Sequence, residues 1–213
     1  MSRRVLITAG PTREPIDAVR YLSNRSSGTM GVALANAADA SAHATTLLLG
    51  PVDSSAAERV HAGVRIERFE TTADLAALLR EHFRACDVLV MAAAVSDYRV
   101  TEADAETGKR ERKDELTLIL EATPDLVAGC TEIKRPDQRV VSFALEQADQ
   151  LEDRAIMKMR RKGVDATVAN PLETMDADEI DAVWLTADGD RRALGPMDKA
   201  AFAAWLIERV TAM

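Results

Sequence analysis

Apolar positions along the chain fall into short unbroken blocks that alternate with stretches of helical spacing. Arg4–Ala9 sets Val5, Leu6 and Ile7 side by side and predicts a short buried strand, halted by Gly10-Pro11. From Gly28 to about Ala40 a helix is predicted, and its small residues Ala33, Ala35, Ala37 and Ala38 suit close packing on a sheet. Ala44–Leu49 predicts a second strand, closed by Gly50-Pro51, and residues 64–69 a third, alternating apolar and polar. Thr71-Thr72-Ala73-Asp74 starts a helix to about Arg84, with Leu75, Leu78, Leu79 and Phe83 at helical spacing. A fourth strand, Asp87-Val88-Leu89-Val90-Met91, runs into Ala92-Ala93-Ala94.

The alternation resumes with a strand over 139–144, a helix over 147–162 and a strand over 165–169 ending at Asn170-Pro171. Residues 182–186 and 191–194, joined across Asp188-Gly189, predict a late hairpin. Pro196 is expected in the first turn of a C-terminal helix that carries Phe202, Trp205, Leu206 and Val210 on one face. Strand and helix alternating at this interval predict an α/β, Rossmann-like fold: a mostly parallel sheet with right-handed crossovers and helices on both faces. One segment breaks the rhythm, at about 98–121. It is charged over 103–115, holds the run Lys109-Arg110-Glu111-Arg112-Lys113, and ends in a predicted strand over 116–120. It reads as a flap projecting from the sheet. With no repeat and no low-complexity linker, residues 1–213 read as a single domain.

Composition narrows the function. A net charge of −8 argues against a nucleic-acid partner, so any anionic ligand must be held by a local basic patch. Aromatic residues at 4% are too few for a base-stacking surface. No run approaches the roughly 18–20 apolar residues of a membrane span, and Val5-Leu6-Ile7 is too short for a secretory signal, so no membrane partner and a cytoplasmic location are expected. Cys86 and Cys130 form no disulfide framework, which fits a reduced compartment. His43, His61 and His82 have no partners at ligand spacing, and no metal site is expected.

In open parallel sheets ligands bind beyond the carboxyl ends of the strands. Residues 10–28, between the first strand and the first helix, form a long connection of little periodicity. Its end, Ser26, Ser27 and Gly28, can hold an anion on hydroxyls and free backbone N–H groups, or simply cap the helix. Ala92-Ala93-Ala94 lets a flat ring or ribose approach the backbone, or packs a helix tightly. Asp97 can accept from a ribose or base amine, or serve as a turn residue. Arg154, Lys158 and Lys162 form a cationic stripe at i, i+4 and i+8 ahead of Gly163, suited to phosphates or to the helix dipole alone. Lys109-Arg110-Glu111-Arg112-Lys113 is a second concentration of positive charge, or a solvated loop.

The run Ile7-Thr8-Ala9-Gly10-Pro11-Thr12-Arg13-Glu14-Pro15-Ile16-Asp17, followed by Val19-Arg20-Tyr21-Leu22-Ser23-Asn24-Arg25-Ser26-Ser27-Gly28, resembles the phosphopantothenoylcysteine synthetase family of coenzyme A biosynthesis. Further motifs match in the same order: Ala92-Ala93-Ala94-Val95-Ser96-Asp97-Tyr98-Arg99, Asp114-Glu115-Leu116-Thr117-Leu118, Thr123-Pro124-Asp125-Leu126, Val140-Val141-Ser142-Phe143-Ala144 and Asp165-Ala166-Thr167-Val168-Ala169-Asn170. The resemblance implies a ligase that joins 4′-phosphopantothenate to L-cysteine with CTP and Mg2+, through an acyl-cytidylate. It implies Asn24 and Lys109 as catalytic residues. Nucleotide contacts fall to Met91, Ala92, Ala93, Asp97, Lys109, Pro124, Asp125, Leu126, Val127, Phe143, Lys158 and Lys162. Arg20, Asn24, Ser26 and Gly28 are the implied phosphopantothenate contacts. The resemblance further implies a homodimer, with a stand-alone synthetase feeding a separate phosphopantothenoylcysteine decarboxylase.

Three departures from the family pattern stand out. The usual Ser-Gly-Lys-Met-Gly reads Ser27-Gly28-Thr29-Met30-Gly31, so a cation is missing. The usual Gly-Phe-Ala-Ala-Glu-Thr reads Ser142-Phe143-Ala144-Leu145-Glu146-Gln147, and the flap's Lys-Ile-Lys-Lys reads Lys109-Arg110-Glu111-Arg112, where Arg112 or Lys113 can take the lysine's place. ATP as the nucleotide and a non-catalytic nucleotide-binding or regulatory protein are the competing readings. A dinucleotide-dependent reductase is disfavoured, because the glycine fingerprint and a Tyr-x-x-x-Lys pair are missing.

Overall fold

The computed structural model describes residues 2–101, 108–112, 114–174, 177 and 179–213. In chain order the elements are β1 (Arg4–Ala9), β2 (Arg13–Pro15), β3 (Tyr21–Ser23), α1 (Thr29–Ala40), β4 (Ala44–Leu49), α2 (Ser54–Ala57), β5 (Arg65–Arg68), α3 (Thr72–His82) and β6 (Val88–Met91). There follow β7 (Tyr98–Val100), β8 (Leu120–Ala122), α4 (Leu126–Glu132), β9 (Arg139–Glu146), α5 (Leu151–Lys162), β10 (Ala166–Pro171), β11 (Glu179–Thr186), β12 (Arg191–Asp198) and α6 (Lys199–Ala212).

Eight strands form one sheet in the order β12-β11-β10-β9-β6-β1-β4-β5. The six from β10 to β5 are parallel, while β11 and β12 each run antiparallel to the strand before. From β1 the chain steps outward to β4 and β5, then returns to build β6, β9 and β10 on the other side of β1. That is the doubly wound order expected for a Rossmann-like fold. Its switch point lies between β1 and β6.

Strand alternation sends successive side chains to opposite faces. In β1, Val5, Ile7 and Ala9 join a core with Leu34 and Ala35 of α1 and Phe202 and Leu206 of α6. Leu6 joins the opposite core with Leu75 and Leu79 of α3, Val127 of α4 and Ala155 and Met159 of α5. Burial on both faces is why the central parallel strands β1 and β6 read as near-continuous apolar runs, whereas the edge strand β5 does not. Helix α1 lies very close to the sheet: a Cβ on Gly31 would meet the Ala9 Cβ at 2.3 Å.

Three expectations change. Pro196 lies inside β12 and not in a helix. β12 is an edge strand with a register shift across from it, the setting in which a residue lacking an N–H is tolerated. The last helix starts at Lys199, where the Asp198 carboxylate accepts from the N–H groups of Ala200 and Ala201 at 2.9 Å. The strand expected over 116–120 is instead Leu120–Ala122, paired antiparallel with β7, so the flap leaves and rejoins the body as a two-stranded ribbon. Residues 10–28, expected to be irregular, contain the β2–β3 hairpin. Part of the 103–115 run, including Lys113, lies outside the described residues.

Gly31→Ala should destabilise the protein by about 1–3 kcal/mol through overpacking against Ala9. Urea denaturation would measure it. An unchanged midpoint would mean that α1 can lift from the sheet without penalty.

Candidate functional site

At the switch point the segments leaving β1 and β6 are stitched to each other. The Ala94 N–H donates to the Gly10 carbonyl at 2.9 Å, and Thr12 N–H donates to the Ala94 carbonyl at 3.1 Å. Two buried threonines complete the seam: Thr8 Oγ1 accepts from Ala93 N–H at 3.0 Å, and Thr12 Oγ1 from Ser96 N–H at 2.9 Å. The Asn24 side-chain amide also donates to the Ala94 carbonyl, at 3.0 Å. Asn24 is thereby fixed to the strand end by a bond made 70 residues along the chain.

Above this seam is a cavity of about 600 Å³. It gathers seven of the expected site residues: Asn24, Ser26 and Gly28 from the long connection, Ala92, Ala93 and Asp97 from behind β6, and Phe143 from β9. The floor at α1 is unusual. Its N-cap is Gly28, with φ of 75° and no side-chain cap, and no acid sits in the first turn. The Thr29 N–H donates to Ser27 Oγ at 3.5 Å, and the Met30 and Gly31 N–H groups behind it are available to an anion. Ser27 shares in capping, since its Oγ accepts from the first helical N–H and lies 3.0 Å from Thr29 Oγ1, while Ser26 Oγ accepts from Gly28 N–H at 3.4 Å. Phe143 is braced from behind by Phe202, edge to face at 6.5 Å between ring centroids.

A second group lies on the α5 side of the sheet. Thr123 N–H donates to the Asp97 carbonyl at 3.0 Å and Thr123 Oγ1 to that of Ser96 at 2.5 Å, which pins the segment from Pro124 to Val127 beside Asp97. Asp125 caps α4 and pairs with Lys162 at 3.1 Å. Lys158 and Arg154 both reach the buried Glu146 at the end of β9, Arg154 at 3.7 Å. The cationic stripe is thus organised by carboxylates. Met91 and Val127 are buried in the core, and Leu126 packs partly against it. Residues 92–97 run between the cavity and the stripe: Ala92 packs with one core, Ala93 and Val95 with the other.

Arg20 and Lys109 stand apart from the cavity, at the tip of the β2–β3 hairpin. The buried Asp17 carboxylate accepts from the Arg20 guanidinium, with Nε at 2.9 Å, and from the N–H groups of Val19 at 2.8 Å and Arg110 at 3.1 Å. The Ala18 N–H reaches the Gly108 carbonyl at 3.3 Å. Asp17 and Ala18 together tie the flap on both sides of Lys109. The Arg20 guanidinium, and then those backbone N–H groups, hold the Asp17 pKa well below the usual carboxylate range against the opposing effect of burial.

Burial pushes Cys86 up to about 12 and Cys130 up to about 11, so neither thiol is a nucleophile near neutral pH. His82, isolated in sequence, meets Glu67 and Glu81 on β5 and α3, away from the cavity. Among the described residues no helix is long and apolar enough to cross a membrane. The cavity also includes Arg25, Asn170, Glu179 and Lys199, which the sequence reading did not single out. Asn170 appeared only as a strand end and as the last residue of a matching motif, with no role assigned, and Lys199 was hidden by the misplaced helix start.

Fold and site together define a doubly wound α/β domain with a small-molecule cavity at its switch point. The whole chain, residues 1–213, matches the family described as the DNA/pantothenate metabolism flavoprotein C-terminal domain, and it belongs to that family. It is 36% identical over 219 residues to the coenzyme A biosynthesis bifunctional protein CoaBC of Mycobacterium tuberculosis, covering 98% of this chain and 52% of that protein. The corresponding Escherichia coli K12 protein is 36% identical over 193 residues, covering 88% of this chain and 46% of that protein. The chain spans about half the length of these curated relatives. The crystal structure of a CoaBC C-terminal domain has a TM-score of 0.82 at 30% identity, covering 99% of this chain and 95% of that one. A Cab2 mutant in complex with phosphopantothenate-cysteine shares the fold, with a TM-score of 0.78 at 21% identity over 99% of this chain and 85% of that one.

Asp17→Asn should loosen the flap, seen as faster amide exchange at Arg110. Because the folded pKa of Asp17 is depressed, its contribution is complete above the unfolded carboxylate value and is lost on acidification. The stability gap between wild type and variant should stay constant at neutral pH and close below about pH 4. A gap that instead grew on acidification would contradict this assignment.

Proposed function

We propose that the chain ligates 4′-phosphopantothenate to L-cysteine with CTP, as a step of coenzyme A biosynthesis. The observation that carries the reading is the junction at Ala94, where Asn24 is held between an anion-ready cavity and a cationic stripe. Two anionic substrates must meet here, one seated in the cavity and the other reaching from the cavity wall to the stripe. Phosphopantothenate enters the cavity with its phosphate on Ser26, Gly28 and the N-terminus of α1. The nucleotide lies along Ala92, Ala93, Asp97 and Phe143, its base against residues 124–127 and its triphosphate on Lys158 and Lys162. Those lysines exchange Glu146 and Asp125 for phosphate oxygens.

In the first step a carboxylate oxygen of phosphopantothenate attacks the α-phosphorus of CTP. A P–O bond forms, the bond to pyrophosphate breaks, and an acyl-cytidylate results. Lys109, carried by the flap, neutralises charge that develops on the phosphoryl group. In the second step the cysteine amine attacks the acyl carbon, CMP leaves, and the nitrogen gives up a proton. The Asn24 amide, anchored on the Ala94 carbonyl, gives its second N–H to the acyl oxygen as it becomes negative. Bound Mg2+ would be held by triphosphate oxygens and water, the ligands this ion favours. It would spread the phosphate charge during attack.

A homodimer is supported by the exposed Val19, Tyr21, Tyr98, Ile119 and Leu120, which sit on or beside the adjoining β2–β3 and β7–β8 ribbons. Such a contact would bring Arg20 and the flap of one protomer toward its partner's cavity. The product, which keeps the cysteine carboxyl group, passes to a phosphopantothenoylcysteine decarboxylase, and the reaction belongs in the cytoplasm.

Pyrophosphate release should occur with CTP, 4′-phosphopantothenate and Mg2+, and adding cysteine should yield phosphopantothenoylcysteine by mass spectrometry. Product with ATP and not CTP would correct the nucleotide; no pyrophosphate with either, from folded protein, would leave a binding protein. Asn24→Ala should still release pyrophosphate while amide formation falls by about 10²–10³-fold. Equal loss of both steps would remove Asn24 from the second one.

A further inference from the structure

The sheet ends in two strands that reverse direction twice. β11 is antiparallel to β10, and β12 antiparallel to β11, so β12 again points the same way as the parallel strands. Its carboxyl end therefore delivers the N-terminus of α6 to the edge of the sheet where α1 also begins. The two helices pack side by side on one face, and both starts contribute to the cavity wall, through Thr29, Met30 and Gly31 on α1 and Lys199 on α6.

The two starts differ electrostatically. At α6 the Asp198 carboxylate occupies the N–H groups of Ala200 and Ala201 and sets a negative charge at the helix start, which disfavours an anion on the backbone there. What α6 presents instead is the Lys199 ammonium, which among the described residues makes no ion pair. At α1 the Met30 and Gly31 N–H groups are open but carry only the helix dipole, worth about half a charge, and Thr29 adds none. A phosphate monoester carries about −1.5 to −2 charges near neutral pH. The α1 terminus alone leaves most of that uncompensated. Arg25 and Lys199 are the cavity's described cations, and Asp97 and Glu179 its described acids.

We propose that Lys199 binds the phosphate of 4′-phosphopantothenate, supplying from α6 the full positive charge that α1 lacks. The inference rests on the ligase reading above. It gives the terminal hairpin a function, because without the double reversal Lys199 would not reach this edge. It also makes Lys199 the residue that discriminates phosphorylated from unphosphorylated substrate. Glu179, register partner of Asp198 across β11 and β12, lies in the same wall.

Calorimetric titration with 4′-phosphopantothenate and with pantothenate tests this. Lys199→Gln should weaken phosphopantothenate binding by about 10- to 100-fold and leave pantothenate binding unchanged. Lys199→Arg should retain most of the affinity, and adding Thr29→Lys to Lys199→Gln should restore part of it from the other helix. Equal weakening for both compounds, no weakening for either, or an effect confined to the KM for cysteine would overturn the assignment while leaving the ligase reading intact. Wild-type protein that binds neither compound would overturn both.

Discussion

The site depends on how two chain segments leave a parallel sheet side by side without losing their hydrogen bonds. Beyond the last paired residues of β1 and β6 there is no neighbouring strand to satisfy the backbone, and these segments are largely shielded from water. Unpaired N–H and C=O groups there would be costly. The chain solves this by pairing residues 10–12 with residues 94–96 and by turning Thr8 and Thr12 into acceptors for the remaining N–H groups. Asn24 uses the spare lone pair of the Ala94 carbonyl. The same seam that closes the fold thus fixes the amide at the centre of the proposed chemistry.

That seam is also braced from below. Glu14, buried just beyond it, accepts from the Thr72 N–H at 2.8 Å and hydroxyl at 2.7 Å, so the connection is bound to the start of α3. On the other face a line of rings runs from Trp184 through Trp205 and Phe202 to Phe143, with centroids 5.8, 6.0 and 6.5 Å apart. It transmits the rigidity of the α6 packing to the cavity wall. Edge-to-face contacts of this kind add to what apolar burial already contributes.

Charge is arranged locally against an overall balance of −8. Cations near the site are held in place by acids: Arg20 by Asp17, Lys162 by Asp125, Arg154 and Lys158 by Glu146. Side chains held this way lose less freedom when a phosphate replaces the carboxylate, which is a form of preorganisation. Lys199 differs in lying open to the cavity, and it stands across from the α1 terminus whose first turn carries Thr29 in place of a cation.

Much of the architecture was legible from periodicity and chain breakers. The ends of β1 and β4 agree with the predicted runs to the residue, because Gly10-Pro11 and Gly50-Pro51 break the chain just beyond their carboxyl ends. Less regular parts were not legible. Pro196 looked like a helix start because its missing N–H suits both a first turn and an edge strand, and only the position of β12 in the sheet distinguishes them. The motifs identified Asn24, Ser26, Gly28, Asp97 and Phe143 as a set. Their grouping about Ala94, the removal of Arg20 and Lys109 to the hairpin tip, and the presence of Lys199 in the wall came from long-range contacts. Local order is written in the spacing of neighbouring residues, so one chain determines it. Which distant side chains share a cavity depends on strand order and direction, and that is decided only when the sheet has closed its cores.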